Sequence, residues 1–197
     1  MDGKRYRIVY EDGQIIVIDK PSGMPVIPTP GKETNTLTDL LNRELDERHV
    51  EANAHPCHRI DRETSGLIIY AKGKKNQGLM MEEFRKKLVK KVYVAFVHGK
   101  VEKSFDIIKK GIYNKNKRRI EEAITKYKVI GRHKDFTVLE VEPVTGRTNQ
   151  IRIHMKGIGC PLVGESVLVF RKDFALKFKR AALHAAYIRF AHPVTKK

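Results

Sequence analysis

Residues Leu67-Ile68-Ile69-Tyr70-Ala71 form a short run with no charged side chain, bounded by Thr64-Ser65-Gly66 on one side and Gly73 on the other. A run this short, apolar throughout and closed by turn residues, predicts a strand buried on both faces. The residues just before it are of the opposite kind: His58-Arg59-Ile60-Asp61-Arg62-Glu63 packs charged side chains against the start of that strand. A carboxylate flanked by two arginines and a histidine is held ionised, and Thr64-Ser65-Gly66 supplies the turn that fixes it at a strand end. This is the local layout of an active site. A lone aspartate on a loop is more often just the partner of a neighbouring arginine, so residues elsewhere in the chain must decide.

At 197 residues the chain can bury one good core and is short for two, so a single compact domain is expected. No apolar run approaches the ~20 residues of a membrane span. Met1-Asp2-Gly3-Lys4-Arg5-Tyr6 leads straight into a strand-like run without the apolar core of a signal peptide, so a cytoplasmic location is expected. Cys57 and Cys160 are then expected as reduced thiols. Forty Lys plus Arg against 23 Asp plus Glu leaves a formal charge of +17, which points to a polyanionic partner bound in a salt-sensitive way. His49, His55, Cys57 and His58 lie close together, but they lack the spaced pairs of a structural zinc site and the second cysteine of a zinc deaminase, so no metal is expected.

Read in order, Tyr6 to Tyr10 and Gln14 to Ile18 predict a hairpin turning at Glu11-Asp12-Gly13, followed by a loop kept extended by Pro25, Pro28 and Pro30. Thr36 and Asp39 predict the capped start of a helix that buries Leu37, Leu40, Leu41 and Leu45. A second helix is expected from about Asn76 to Lys87, with Leu79, Met80 and Phe84 inward and Lys74, Lys75, Arg85, Lys86 and Lys87 displayed. From Lys91 to Gly99 the pattern alternates, placing Tyr93, Ala95 and Val97 on one face of a rigid strand. Lys109 to Arg119 reads as a basic loop suited to tracking phosphates, followed by strands at Ile120 to Ile130 and Phe136 to Val141. Thr148 is placed to cap a short helix from Asn149 to about Lys156, anchored by Ile151, Met155 and Ile158, which turns Arg152 toward a strand-end carboxylate. Val163 to Phe170, a basic stretch to Arg180 and a final strand through Leu183 to Phe190 complete the chain.

The blocks His58-Arg59-Ile60-Asp61 with Thr64-Ser65-Gly66, then Lys91-Val92-Tyr93, then Gly146-Arg147-Thr148-Asn149-Gln150-Ile151-Arg152-Ile153-His154 resemble, in this order, the signature blocks of the RluA-type RNA pseudouridine synthases. Asp19 to Met24, Ala123 to Tyr127, Leu183-His184-Ala185 and Phe190 to Pro193 extend the resemblance over nearly the whole chain. It departs from the family pattern where Asn149 stands in place of the usual His, where Ile60 replaces Leu, and where the chain stops soon after His192-Pro193.

The resemblance implies an α+β fold: one catalytic domain over residues 1 to 197, built on a mixed, mainly antiparallel sheet with flanking helices and loops, and without a separate N-terminal RNA-binding domain. It implies that Asp61 is the essential catalytic residue, that Arg152 pairs with it, and that Tyr93 stacks on the target base. Arg59 would fill the gap left by the extruded base, with His58, Thr64, Lys91, Arg147 and Gln150 also on the substrate side. Composition and oxidation state do not change in the reaction, so no cofactor is expected. The expected partner is rRNA or tRNA, bound by a monomer away from any membrane. Whether Asp61 attacks the sugar, attacks the base or removes a sugar proton stays open. Two rival functions stand beside this one: a catalytically idle RNA-binding module of the same fold, and an RNA-cleaving enzyme using His58 and His154 as base and acid.

Overall fold

The computed structural model describes residues 5–28, 35–169 and 176–196. Expectations that fall on Met1 to Lys4, on Pro30, and on Phe170 with the basic residues Arg171 and Lys172 lie outside the described residues. The elements are β1 (Arg7–Glu11), β2 (Ile15–Lys20), α1 (Leu37–Glu47), β3 (Ala54–Pro56), β4 (Ser65–Lys72), α2 (Lys74–Arg85), β5 (Lys90–His98), β6 (Phe105–Lys109), β7 (Ile112–Asn114), β8 (Arg119–Glu121), β9 (Ile124–Arg132), β10 (Phe136–Pro143), α3 (Gln150–Gly157) and β11 (Leu183–Arg189). The fold is α+β and its sheet pairing mainly antiparallel. No helix among the described residues is long and apolar enough to cross a membrane. The chain forms two compact units, Met1–Val89 with Ile188–Lys197 and Lys90–Tyr187.

In the first unit β2 lies between β1 and β4, and β3 pairs with the end of β4. The hairpin of β1 and β2 is closed by Asp12, whose Oδ1 accepts the N–H groups of Gln14 and Ile15, both at 2.8 Å. Ile68, Ile69, Tyr70 and Ala71 are fully buried, as the uncharged run predicts. Thr36 caps α1 reciprocally: its hydroxyl accepts the Asp39 N–H and the Asp39 carboxylate accepts the Thr36 N–H. Leu37, Leu41 and Leu45 are buried, while Leu40 is only half-buried. On α2 only Met80 of the expected apolar set is fully buried; Phe84 packs against the cluster of Ile15, Val17, Ile69 and Ala71, and Leu79 is exposed. Lys74, Lys75, Arg85, Lys86 and Lys87 are exposed as expected.

In the second unit the strand order is β11-β5-β10-β9-β6, with β7 and β8 as a separate hairpin. Tyr93, Ala95 and Val97 of β5 stand opposite Val141, Leu139 and Thr137 of β10, and all six are buried. That face carries the core, and Phe96 on the other face is exposed. Four local expectations are corrected. Much of the basic segment Lys109 to Arg119 is hairpin, because the Asn114 Oδ1 accepts the N–H groups of Asn116 and Lys117 and so closes a turn between β7 and β8. The strand expected from Ile120 to Ile130 is broken at Glu122-Ala123 into β8 and β9. Asn149, not Thr148, occupies the cap position of α3 in a left-handed conformation (φ 55°), and Ile158 is exposed where an anchor was expected.

Candidate active site

In the first unit Asp61 sits half-buried in the turn that feeds β4, and its carbonyl accepts the Thr64 N–H at 3.0 Å. Ile60 before it and Thr64 after it are buried, which anchors the turn at both ends. The segment after β2 clamps this turn from the side. Lys20 is fully buried and donates its ammonium to the carbonyls of Pro21 and Met24, both at 2.8 Å, and of Arg62 at 3.1 Å. An ammonium can be buried only with its donors satisfied, and carbonyls do that here. The Ser22 hydroxyl donates to the Glu63 carbonyl at 2.7 Å, Gly23 N–H to the Arg62 carbonyl at 2.8 Å, and Arg62 Nε to the Gly23 carbonyl at 3.0 Å. Gly23 has φ 86°, a backbone state that side-chain-bearing residues avoid. The Asp19 to Met24 block, which the sequence alone gave no task, therefore holds the loop of Asp61.

In the second unit Arg152 projects from the first turn of α3 into the interior, 7% exposed. Its Nε and Nη2 donate to the two carboxylate oxygens of Glu165, each at 2.7 Å, and its Nη1 donates to Asn149 Oδ1 at 2.9 Å. Glu165 is held in turn: its Oε1 also accepts the N–H groups of Ser166, Val167 and Leu168 at 3.0, 2.9 and 3.2 Å. Burial pushes the Glu165 carboxyl up, but Arg152 and these backbone donors outweigh it and hold the group at about 2. The left-handed Asn149 brings its amide within reach of Arg152, which gives a local reason for Asn at that position.

Gln150, expected at the substrate, is buried and spends its amide on the protein. Oε1 accepts from the Thr145 hydroxyl and the Arg147 N–H, and Nε2 donates to the Ile124 carbonyl and Thr125 Oγ1. It fixes the loop before α3 to the start of β9. Arg147 is tied back as well, donating Nε to the Glu122 carbonyl at 2.9 Å and lying 3.3 Å from Glu121. Glu121 also takes Asn114 and Lys117, which with Arg147 hold its carboxyl at about 2 and fasten the base of the basic hairpin. Lys109, Lys110, Lys115, Lys117, Arg118 and Arg119 are all exposed on and beside that hairpin. Tyr93 is buried on β5, and burial lowers the pKa of Lys91 two residues earlier. Arg59 is exposed.

The two histidines of the nuclease reading are both engaged. His58 Nε2 accepts the Ile69 N–H at 3.1 Å, and its ring packs on Phe84 with centroids 4.9 Å apart. His154 bonds the Lys110 carbonyl through Nε2 and Thr125 Oγ1 through Nδ1, both at 2.9 Å. A carbonyl only accepts, so the proton sits on Nε2, and burial favours the neutral ring. Such a histidine braces α3 against the foot of the hairpin. The residues that sequence reasoning missed are Lys20 and Glu165; Glu165 carries no local sequence signal, because its partner Arg152 lies thirteen positions away.

A family model described as RNA pseudouridylate synthase matches residues 14–157. The chain belongs to that family, whose members are isomerases. It is 37% identical to the uncharacterized RNA pseudouridine synthase YlyB of Bacillus subtilis, over 95% of this chain and 65% of that protein, so it spans a little under two thirds of this relative's length. It is 32% identical to the dual-specificity RNA pseudouridine synthase RluA of Vibrio cholerae, over 94% of this chain and 77% of the relative. Among solved structures, human RNA pseudouridylate synthase domain containing 4 superposes with a TM-score of 0.77 at 24% identity, covering 93% of this chain and 83% of the other, a likeness of fold.

Proposed function

We propose that this protein converts uridines in structured RNA, rRNA or tRNA, to pseudouridines, with Asp61, Arg152 and Tyr93 acting on one nucleotide and both compact units serving as one catalytic domain. The observation that carries the reading is the grip on Arg152. A guanidinium held along its Nε and Nη2 side by Glu165 can offer its Nη1 and Nη2 edge to a second carboxylate, and in this reading that carboxylate is Asp61. Family membership supplies the class of reaction, and the V. cholerae relative's name supports more than one RNA as target.

In the reaction the C1′–N1 bond of the uridine breaks, the uracil turns, and a C1′–C5 bond forms. The C5 proton leaves to solvent and N1 regains one, so atoms and electrons balance without a redox cofactor or an energy source. Asp61 must be ionised whether it attacks the sugar, attacks the base or removes a sugar proton, and Arg152 keeps it so. Tyr93 gives the freed uracil a flat surface on a strand that cannot move aside. Thr64 acts by closing the Asp61 turn, and His58 by anchoring that loop to β4. The target base must leave its stack at a cost of a few kcal/mol, which phosphate contacts from Lys91, Arg59 and the basic hairpin offset. The protein acts in the cytoplasm as a monomer. Pseudouridine mapping by carbodiimide treatment and reverse transcription, in cells with and without the protein, tests the reading. Stops that vanish at discrete rRNA or tRNA positions are expected; identical maps would contradict it.

A further inference from the structure

We infer that Glu165 is the positioning residue of the reaction: it acts through Arg152, setting the plane and direction of the guanidinium that faces the reacting nucleotide. The inference rests on the synthase reading and deepens it. An arginine on the first turn of a short helix has several rotatable bonds, and a monodentate partner would leave its plane undefined. Glu165 binds Nε and Nη2 together at 2.7 Å each, which fixes that plane.

The carboxylate is itself immobile, because one of its oxygens is shared among three successive N–H groups, from Ser166 to Leu168. Its backbone is fixed too. Gly164, at φ 77°, lies so close to the Arg180 carbonyl that a β-carbon there would collide with it, so the chain just before Glu165 is packed against the segment leading into β11. Glu165 is 2% exposed, beyond the reach of a substrate that must enter from solvent. A buried carboxylate built so fully around one arginine does more than neutralise charge. It removes from Arg152 the freedom that would otherwise have to be lost at each turnover, and a displacement of about 1 Å at such a site can cost about 100-fold in rate.

Glu165→Gln keeps the size of the side chain and one acceptor but loses the second acceptor and the charge. Glu165→Asp keeps the charge but is shorter by one methylene. Single-turnover tritium release from C5-labelled uridine transcripts is measured for the native protein and both variants, at a temperature well below each variant's melting midpoint, beside filter-binding affinity for the same RNA. The expected result is a loss of about 100-fold in rate for Glu165→Gln, a smaller loss for Glu165→Asp, and RNA affinity within about threefold of native for both. A stabilising role alone predicts native rates once the variants are held folded, and that result overturns the inference, as does a loss of rate matched by an equal loss of affinity. If Glu165→Gln does not fold, Glu165→Asp carries the same two readouts: a reduced rate at retained affinity supports the inference and a native rate overturns it. A native protein that releases no tritium defeats the synthase reading itself, whereas a native rate in the variants defeats only the role of Glu165.

Discussion

Lys20 donates its ammonium to the carbonyl of Arg62 at 3.1 Å, so a fully buried cation at the end of β2 sets the loop that carries Asp61. Lys20→Met preserves length and apolar stem but leaves the carbonyls of Pro21, Met24 and Arg62 without that donor. The Arg62 carbonyl keeps the Gly23 N–H, but a buried acceptor left without a partner costs about 1–3 kcal/mol. We expect urea denaturation to show a loss of about 3 kcal/mol, with a lower rate of uridine isomerisation because the Asp61 turn loosens. Unchanged stability would mean that the clamp is incidental.

Asn149→His should stay active. Asn and His both tolerate the left-handed backbone of that position better than most residues, and an imidazole nitrogen can accept the Arg152 N–H that Asn149 Oδ1 now takes. Asn149→Ala loses the acceptor and carries a strain of about 1–2 kcal/mol. Turnover within about threefold of native for His and clearly lower for Ala is the expected pattern.

Glu165 also predicts a pH dependence of stability. Its folded pKa of about 2 lies below the ordinary 4.5, so the unfolded chain takes up the proton first as pH falls. The stabilisation is therefore complete above about 4.5 and is lost between there and about 2. Denaturation midpoints for native and Glu165→Gln protein, compared at pH 7 and pH 3, should show a smaller acid-induced drop in the variant. Parallel drops would place the native acid sensitivity elsewhere.

The basic hairpin gives a measurement on binding alone. Lys115 and Arg118 are exposed on it, and replacing each with Gln should lower RNA affinity and reduce the slope of log affinity against log salt by about one per residue. A slope equal to native would remove the hairpin from the RNA-binding surface.

What could be read from the sequence was local or strictly periodic. The reciprocal cap of Thr36 and Asp39 spans four residues, and the alternation that buries Tyr93 needs only β5 itself. The motif blocks also carried the family, because their order is a property of the chain. What escaped depended on pairing at a distance. Glu165 meets Arg152 thirteen positions away, and nothing in Gly164-Glu165-Ser166 announces an inward carboxylate. Helix α3 was legible in part: Ile151 and Met155 anchor it as expected, Ile158 is exposed, and the burial of polar side chains beside them was not foreseen. Gln150, Arg152 and His154 are buried with Ile151 and Met155, because each has a hydrogen-bonding partner inside. The hairpin of β7 and β8 was hidden by its lysines and arginines, whose charge says loop although Asn114 closes a turn between two strands.

The most direct test of the central claim is C5 tritium release by Asp61→Asn, run beside a melting curve and a filter-binding titration. The substitution removes one negative charge and its nucleophilicity while keeping the shape of a half-buried side chain. The account predicts no detectable pseudouridine formation, with RNA affinity and melting midpoint close to native. Tritium release at the native rate by Asp61→Asn would contradict it.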